Sequence, residues 1–273
     1  MSLNKPIWKL RDWIDIDKLN WEELSLNINA IELLKQNPEK IYWFNLSKNI
    51  NAIEILEDNL HKVVWFILSG NENAIKLLKA NPNKIEYDLL SRNKNAIELL
   101  KANPDEIDWC DLSRNPNAIE LLKANPDEID WEELSINPNA IELLKQNKEK
   151  INWAFLSSNP NATKLILENN IRKIDWYNLS LNPNAIEFLK ENPEKINWYY
   201  LSENPNAIEL LKDNQDKIDW ENLSKNPSIF ELDYEKMREN NQMMYEELIK
   251  EVMKPSRVFK NPDYDYLEEL FGD

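Results

Sequence analysis

The chain has 273 residues and only two glycines, Gly70 and Gly272, which excludes hairpin-rich folds and glycine-lined phosphate loops, both dependent on positive φ. A net charge of −16 argues against a phosphate backbone as partner, and the single cysteine, Cys110, rules out an internal disulfide or a cysteine-based zinc site. With no run of about eighteen apolar residues and no signal-like stretch in residues 1–13, the expectation is a protein without a membrane span, working inside a cell.

Residues 1–20 precede any period and are assigned to an N-terminal cap. From there an aromatic residue recurs every 22 positions, with one step of 23: Trp21, Trp43, Trp65, Tyr87, Trp109, Trp131, Trp153, Trp176, Trp198 and Trp220. Leu-Ser follows three and four residues later, and each next unit opens with Asn-Pro-Asn-Ala-Ile or a close variant. The unit at 115–136 reads NPNAIELLKANPDEIDWEELSI.

Two helical pieces are predicted in that unit. Asn115 can cap a first helix and Pro116, at its first position, has no donor to waste. Ala118, Ile119, Leu121 and Leu122 form its apolar face, Glu120 and Lys123 can pair on the other, and Pro126 stops it near Asn125. The second piece starts after Asp130, a cap for the helix of Trp131 and Leu134. It has room for a short α-helix or a 3-10 turn. Asp or Asn fills this pre-aromatic position in seven of ten units.

A helix of about ten residues is marginal alone in water, so stacking must supply the stability. The prediction is an all-α, right-handed α-solenoid of about ten 22-residue repeats spanning 21–228, with the aromatic column as the backbone of its core and an elongated shape. A column of asparagines from Asn27 to Asn226 is read as capping successive helices and bonding adjacent turns. The extra residue between Ala162 and Glu168 predicts a π-bulge or a shifted helix start, and with it a local bend. Beyond Ile229 the period stops, and residues 229–273 are assigned to a C-terminal helical cap followed by an acidic-aromatic tail, DYDYLEELFGD.

These residues resemble the short helical repeat proteins of giant DNA viruses of the mimivirus-like kind, whose units read like LSxNPNAIxLLxxNPxKIDWxxLS. The resemblance covers Trp21 to Asn226 and continues into the segments around Asn226–Tyr234, Glu246–Ile249 and Pro255–Arg257. It implies a viral protein made in an infected host, acting in the cytoplasm, the viral factory or the virion, and it carries no activity or site residue. Tyr87 departs from the pattern in place of tryptophan, as do Leu60 and Lys148 in place of proline. The unit is also similar in architecture to leucine-rich-repeat variant proteins.

In a repeat, near-constant residues hold the stack and partner choice is written in the positions that vary. Those positions directly follow the aromatic residue, and they alternate between acidic and aromatic pairs. Phe44 with Phe66, and Tyr177 with Tyr199 and Tyr200, are candidate partner-binding patches, the alternative being that they fold over the edge of the core. Arg92 and Arg114, each one residue after the repeat serine, make a candidate basic spot. No unit combines a nucleophile, a base and an orienting group, and His61 is the only histidine, so no catalytic, cofactor or metal residue is assigned. The expected function is a non-catalytic scaffold for a host or viral protein partner. The alternatives are a structural component of virion or factory and, against the net charge, a single-strand nucleic-acid reader.

Overall fold

The computed structural model describes residues 6–165 and 171–252. The tail from 253 onward, and the part of the expected bulge at 166–170, lie outside the described residues. By backbone contacts the chain divides into two units, residues 10–230 and residues 1–9 with 231–273.

The larger unit is an all-α repeat solenoid. In the unit at 115–136, a helix covers Ile119–Ala124, a 3-10 turn Pro126–Glu128 and a second helix Trp131–Ile136. The first helix starts three residues later than predicted. Asn115 does accept from the Asn117 amide at 2.9 Å, but it caps the turn that precedes the helix. Pro126 stops the first helix and opens the unpredicted 3-10 turn, because its fixed φ suits a first helical position as well as it disfavours continuation. Asn125 satisfies a carbonyl left free at that stop, its Nδ2 donating to Leu121 O at 2.9 Å. The second helix is α and is capped as expected, with the Glu133 amide on Asp130 Oδ1 at 2.9 Å. Side-chain caps of this kind occur at the seven units with Asp or Asn before the aromatic residue. Tyr42, Val64 and Glu86 cap nothing with their side chains.

Successive aromatic helices are joined by buried side-chain bonds to backbone. Asn137 Nδ2 donates to Ser113 O and Asn115 O of the preceding unit, both at 2.9 Å. Ser135 Oγ donates to Trp131 O at 2.7 Å and accepts the Asn152 amide of the following unit at 3.0 Å. A second row, on the exposed side, has Asn139 Nδ2 on Pro116 O at 2.8 Å. The ladder crosses the 23-residue step unbroken, with Asn182 on Ser157 O at 3.1 Å and Asn159 O at 2.8 Å.

The ladder also has no end, and this overturns the elongated array. Asn27 of the first unit donates to Ser224 O at 3.0 Å and Asn226 O at 2.8 Å of the tenth. The Asn20 amide bonds Ser224 Oγ at 2.9 Å, and Asn29 bonds Pro227 O at 3.0 Å. Arg11 fastens the same seam through its amide to Ile229 O at 2.9 Å and its Nε to Ser228 O at 2.8 Å. The helix Trp220–Lys225 therefore packs on Trp21–Leu24 as any neighbour would, and the ten repeats close into a ring. The residues just before Trp21, assigned to a cap, carry the 3-10 turn Ile16–Lys18 and belong to the first repeat. Closure removes the uncovered apolar ends that an open solenoid must hide.

The core is leucine, alanine, serine and asparagine. Leu122, Leu134, Ala118, Ser135 and Asn137 are fully buried, as are their equivalents among the described residues, whereas every aromatic residue of the column is only half-buried. A buried leucine contributes roughly 1.5–3 kcal/mol. The tryptophans instead close the groove between units under a lysine of the next one: Lys40 lies 4.2 Å from the Trp21 ring, Lys150 4.3 Å from Trp131, and Lys18 4.9 Å from Trp220 across the seam.

Strand β1, Trp8–Leu10, pairs with β2, Phe230–Leu232, and in the smaller unit Lys9 meets Glu231 at 3.5 Å. The Asp233 amide bonds Ile7 O at 2.8 Å, and the Asp233 side chain accepts from Lys236 N at 3.0 Å in the first turn of the helix Tyr234–Val252.

Candidate binding ridge

The residue after each aromatic one sits in the first turn of a helix whose buried face is set by Leu and Ser three and four positions along. It therefore points out. Phe44, Phe66, Tyr177 and Tyr199 are 41, 49, 62 and 52 % exposed, large values for side chains of that size. Phe44 has Tyr42 at 6.3 Å and the Lys48 ammonium at 5.3 Å from its ring, and Tyr42 and Leu60, not singled out from the sequence, are also exposed nearby in chain position. A signal for Tyr42 exists in hindsight: it replaces the capping Asp or Asn, and a residue that gives up a cap is spent on something else.

Tyr200 behaves differently. It is half-buried, edge-on to Tyr199 at 5.2 Å, because the second position after the aromatic residue faces the neighbouring unit. That position is read by the residue after the repeat serine in the preceding unit. Arg92 Nε bonds Asp111 at 3.0 Å, Arg114 Nε lies 3.1 Å from Glu133, and across the seam Lys225 lies 3.4 Å from Glu23. Gly70 stands in the same relation to Leu89, whose carbonyl and Cβ lie 3.5 and 3.6 Å from where a Cβ would project. Arg92 and Arg114 are thus links between units, each neutralised by a carboxylate. Sequence spacing held the signal, since in both pairs arginine precedes the acid by 19 residues.

Cys110 and His61 are exposed and sit in different repeats. Partial burial, and then the carboxylates of Asp130, Glu133, Asp108 and Asp111, push the Cys110 thiol above its ordinary value, which leaves little thiolate for nucleophilic chemistry. Among the described residues no three His, Cys, Asp or Glu side chains are grouped to hold a metal ion, and no helix is long and apolar enough to cross a membrane.

A cleft of 320 Å³ opens between the second and third repeats, with Trp43 and Ile41 on its floor and Lys35, Glu54, Asp58 and Lys62 at its rim. It is lined by its own cations: Lys62 sits 4.6 Å from the Trp43 ring, and Lys35 lies 3.6 Å from Glu54. Comparison of the chain with family models, with curated proteins and with solved structures finds no match.

Proposed function

We propose that the chain is a non-catalytic scaffold that binds a protein partner through the exposed aromatic side chains beside its tryptophan column, as Tyr177 and Tyr199 do in neighbouring repeats. One observation carries the reading. The groups that hold the ring together are buried Leu, Ala, Ser and Asn repeated from unit to unit, while Tyr177 and Tyr199 are more than half exposed and stand at a position whose residue varies between units. Aromatic side chains in that setting bring large contact area at low entropic cost. The resemblance to giant-virus repeat proteins makes the partner a host or viral protein met inside the infected cell.

Tyr177→Ala combined with Tyr199→Ala tests it. Partners retained by the wild-type chain from infected-cell lysate should be lost by the double variant and kept by Glu132→Ala, while all three chains unfold within about 0.5 kcal/mol of each other. Unchanged capture by the double variant moves the binding surface elsewhere.

A further inference from the structure

In six units the lysine three residues before the aromatic residue reaches back over the ring of the preceding unit. Six such contacts, between 4.2 and 4.9 Å, recur around the molecule. At Trp176 a phenylalanine, Phe188, stacks at 5.4 Å. The lysine position is kept in eight units and replaced in two consecutive ones, by Glu106 and Glu128, which follow Tyr87 and Trp109. Neither aromatic ring has a cation or a second ring against it among the described residues. The molecule therefore builds the same cation seat repeatedly and fills it itself at six rings. Among the described residues Trp65 too has no cation against it, but only Tyr87 and Trp109 have a carboxylate where the covering lysine would stand.

The surroundings of that stretch favour a cation from outside. From Glu86 to Glu133 there are thirteen carboxylates and five cations. Each of the five, Arg92, Lys94, Lys101, Arg114 and Lys123, is already ion-paired. Three repeats on from the Trp43 cleft, a shift of three times 22, Trp109 stands for Trp43, Ile107 for Ile41, Ala124 for Asp58 and Glu128 for Lys62. The seat keeps its aromatic floor and a rim lysine, Lys101 for Lys35, loses the ammonium that covers the ring and a rim carboxylate, and gains a carboxylate where that ammonium was.

We infer that Trp109 with Glu128 is the seat of a lysine or arginine side chain from a basic peptide segment of a partner protein, with Tyr87 and Glu106 offering a second seat one repeat away. The incoming cation takes the face of the indole that lysine covers elsewhere in the ring and pairs with the carboxylate that replaced it. The seat adds a second kind of contact to the aromatic patch and stands without it: loss of Tyr177 and Tyr199 leaves it intact.

Fluorescence anisotropy of a fluorescein-labelled hexalysine peptide, titrated with the full chain at about 150 mM salt, tests the seat, since free charges further apart than about 8 Å are screened there. Glu128→Lys restores the residue found in eight repeats, so it folds, refills the seat and should weaken binding at least about tenfold. Trp109→Leu, which keeps every carboxylate, should weaken it about 3- to 10-fold, the range of a cation–π contact. Glu39→Lys makes the same charge change on the second repeat and should stay within about twofold. Equal loss in Glu128→Lys and Glu39→Lys, no loss in Trp109→Leu, or no binding of hexalysine by the wild-type chain would each overturn the seat. Unaltered hexalysine binding by the Tyr177→Ala, Tyr199→Ala chain separates its fate from that of the aromatic patch.

Discussion

The interface between the fifth and sixth repeats and the seam between the tenth and the first are made of the same bonds. Asn137 reaches Ser113 O and Asn115 O at 2.9 Å, and Asn27 reaches Ser224 O and Asn226 O at 3.0 and 2.8 Å. Arg114 meets Glu133 at 3.1 Å, and Lys225 meets Glu23 at 3.4 Å. What differs is the chain between the partners: 22 residues in the interior, 199 at the seam. A ninefold longer loop costs about 2 kcal/mol more to close, so equal bonds yield a weaker interface where the chain does not tether it. The seam therefore forms last and opens first, and Arg11, bonded to Ser228 and Ile229, supplies contacts there that interior units do not need.

The largest effect should come from the core common to both interfaces. Leu134→Ala removes a fully buried side chain and should cost about 3–5 kcal/mol, while Trp131→Ala, half-buried beneath Lys150, should cost about 1.5–3 kcal/mol. Denaturant midpoints that put the tryptophan first would return the aromatic column to the centre of the core. The two asparagines sharpen the comparison further. Either Asn27→Ala or Asn137→Ala takes the side-chain donor from two buried carbonyls, of which Asn226 O and Asn115 O keep the Ile229 and Ala118 amides while Ser224 O and Ser113 O lose theirs, at about 1–3 kcal/mol. Hydrogen exchange should then separate them. In Asn27→Ala the amides of Asn20 and Arg11, bonded across the seam, should lose protection below the global unfolding energy. In Asn137→Ala the equivalent amide, Asp130, bonded to Ser113 Oγ, should exchange only with global unfolding. Identical patterns would mean that the ring has no weak point.

The repeat was legible because its cues are local. Trp131, Leu134 and Ser135 place one helix, Asp130 caps it, and Asn125-Pro126 ends the other, all within one unit. The exposed positions of Phe44, Phe66, Tyr177 and Tyr199 followed from the same period. Depth was less legible: near-constancy marks a residue as structural without saying how far in it lies, so tryptophan was placed where leucine is. Pairings between units, such as Arg92 with Asp111, need the stacking geometry before a spacing of 19 means anything. Closure was not legible at all from a unit, since each unit specifies its neighbour but not the rotation, about 36° per repeat here, at which the tenth meets the first.

The smallest effect lies next to the seam, between the ninth and tenth repeats, and depends on pH. Glu203 occupies the position after the repeat serine in the ninth unit, where Arg92, Arg114 and Lys225 stand in theirs, yet the following unit offers it Asn222 rather than a cation. Burial raises its pKa above the ordinary carboxylate value, Lys225 opposes the shift and Glu23, reaching in from the first unit, adds to it. A carboxyl whose folded pKa lies above its unfolded one binds its proton more tightly when folded. Its contribution to stability is therefore fully present below the unfolded value and is lost as pH rises through the folded value. At neutral pH the charged, half-buried carboxylate strains an interface beside the seam, where Lys225 is already committed to Glu23. Glu203→Gln should accordingly be more stable than the wild-type chain at pH 7.5, with the gap in denaturant midpoint narrowing as pH falls toward 5. The Asn20 amide, bonded to Ser224 across the seam, should gain protection at the higher pH as well. A gap that stays constant over that range would mean that Glu203 destabilises the ring through its shape and not its charge, and a gap of the opposite sign would make it a favourable partner of Lys225.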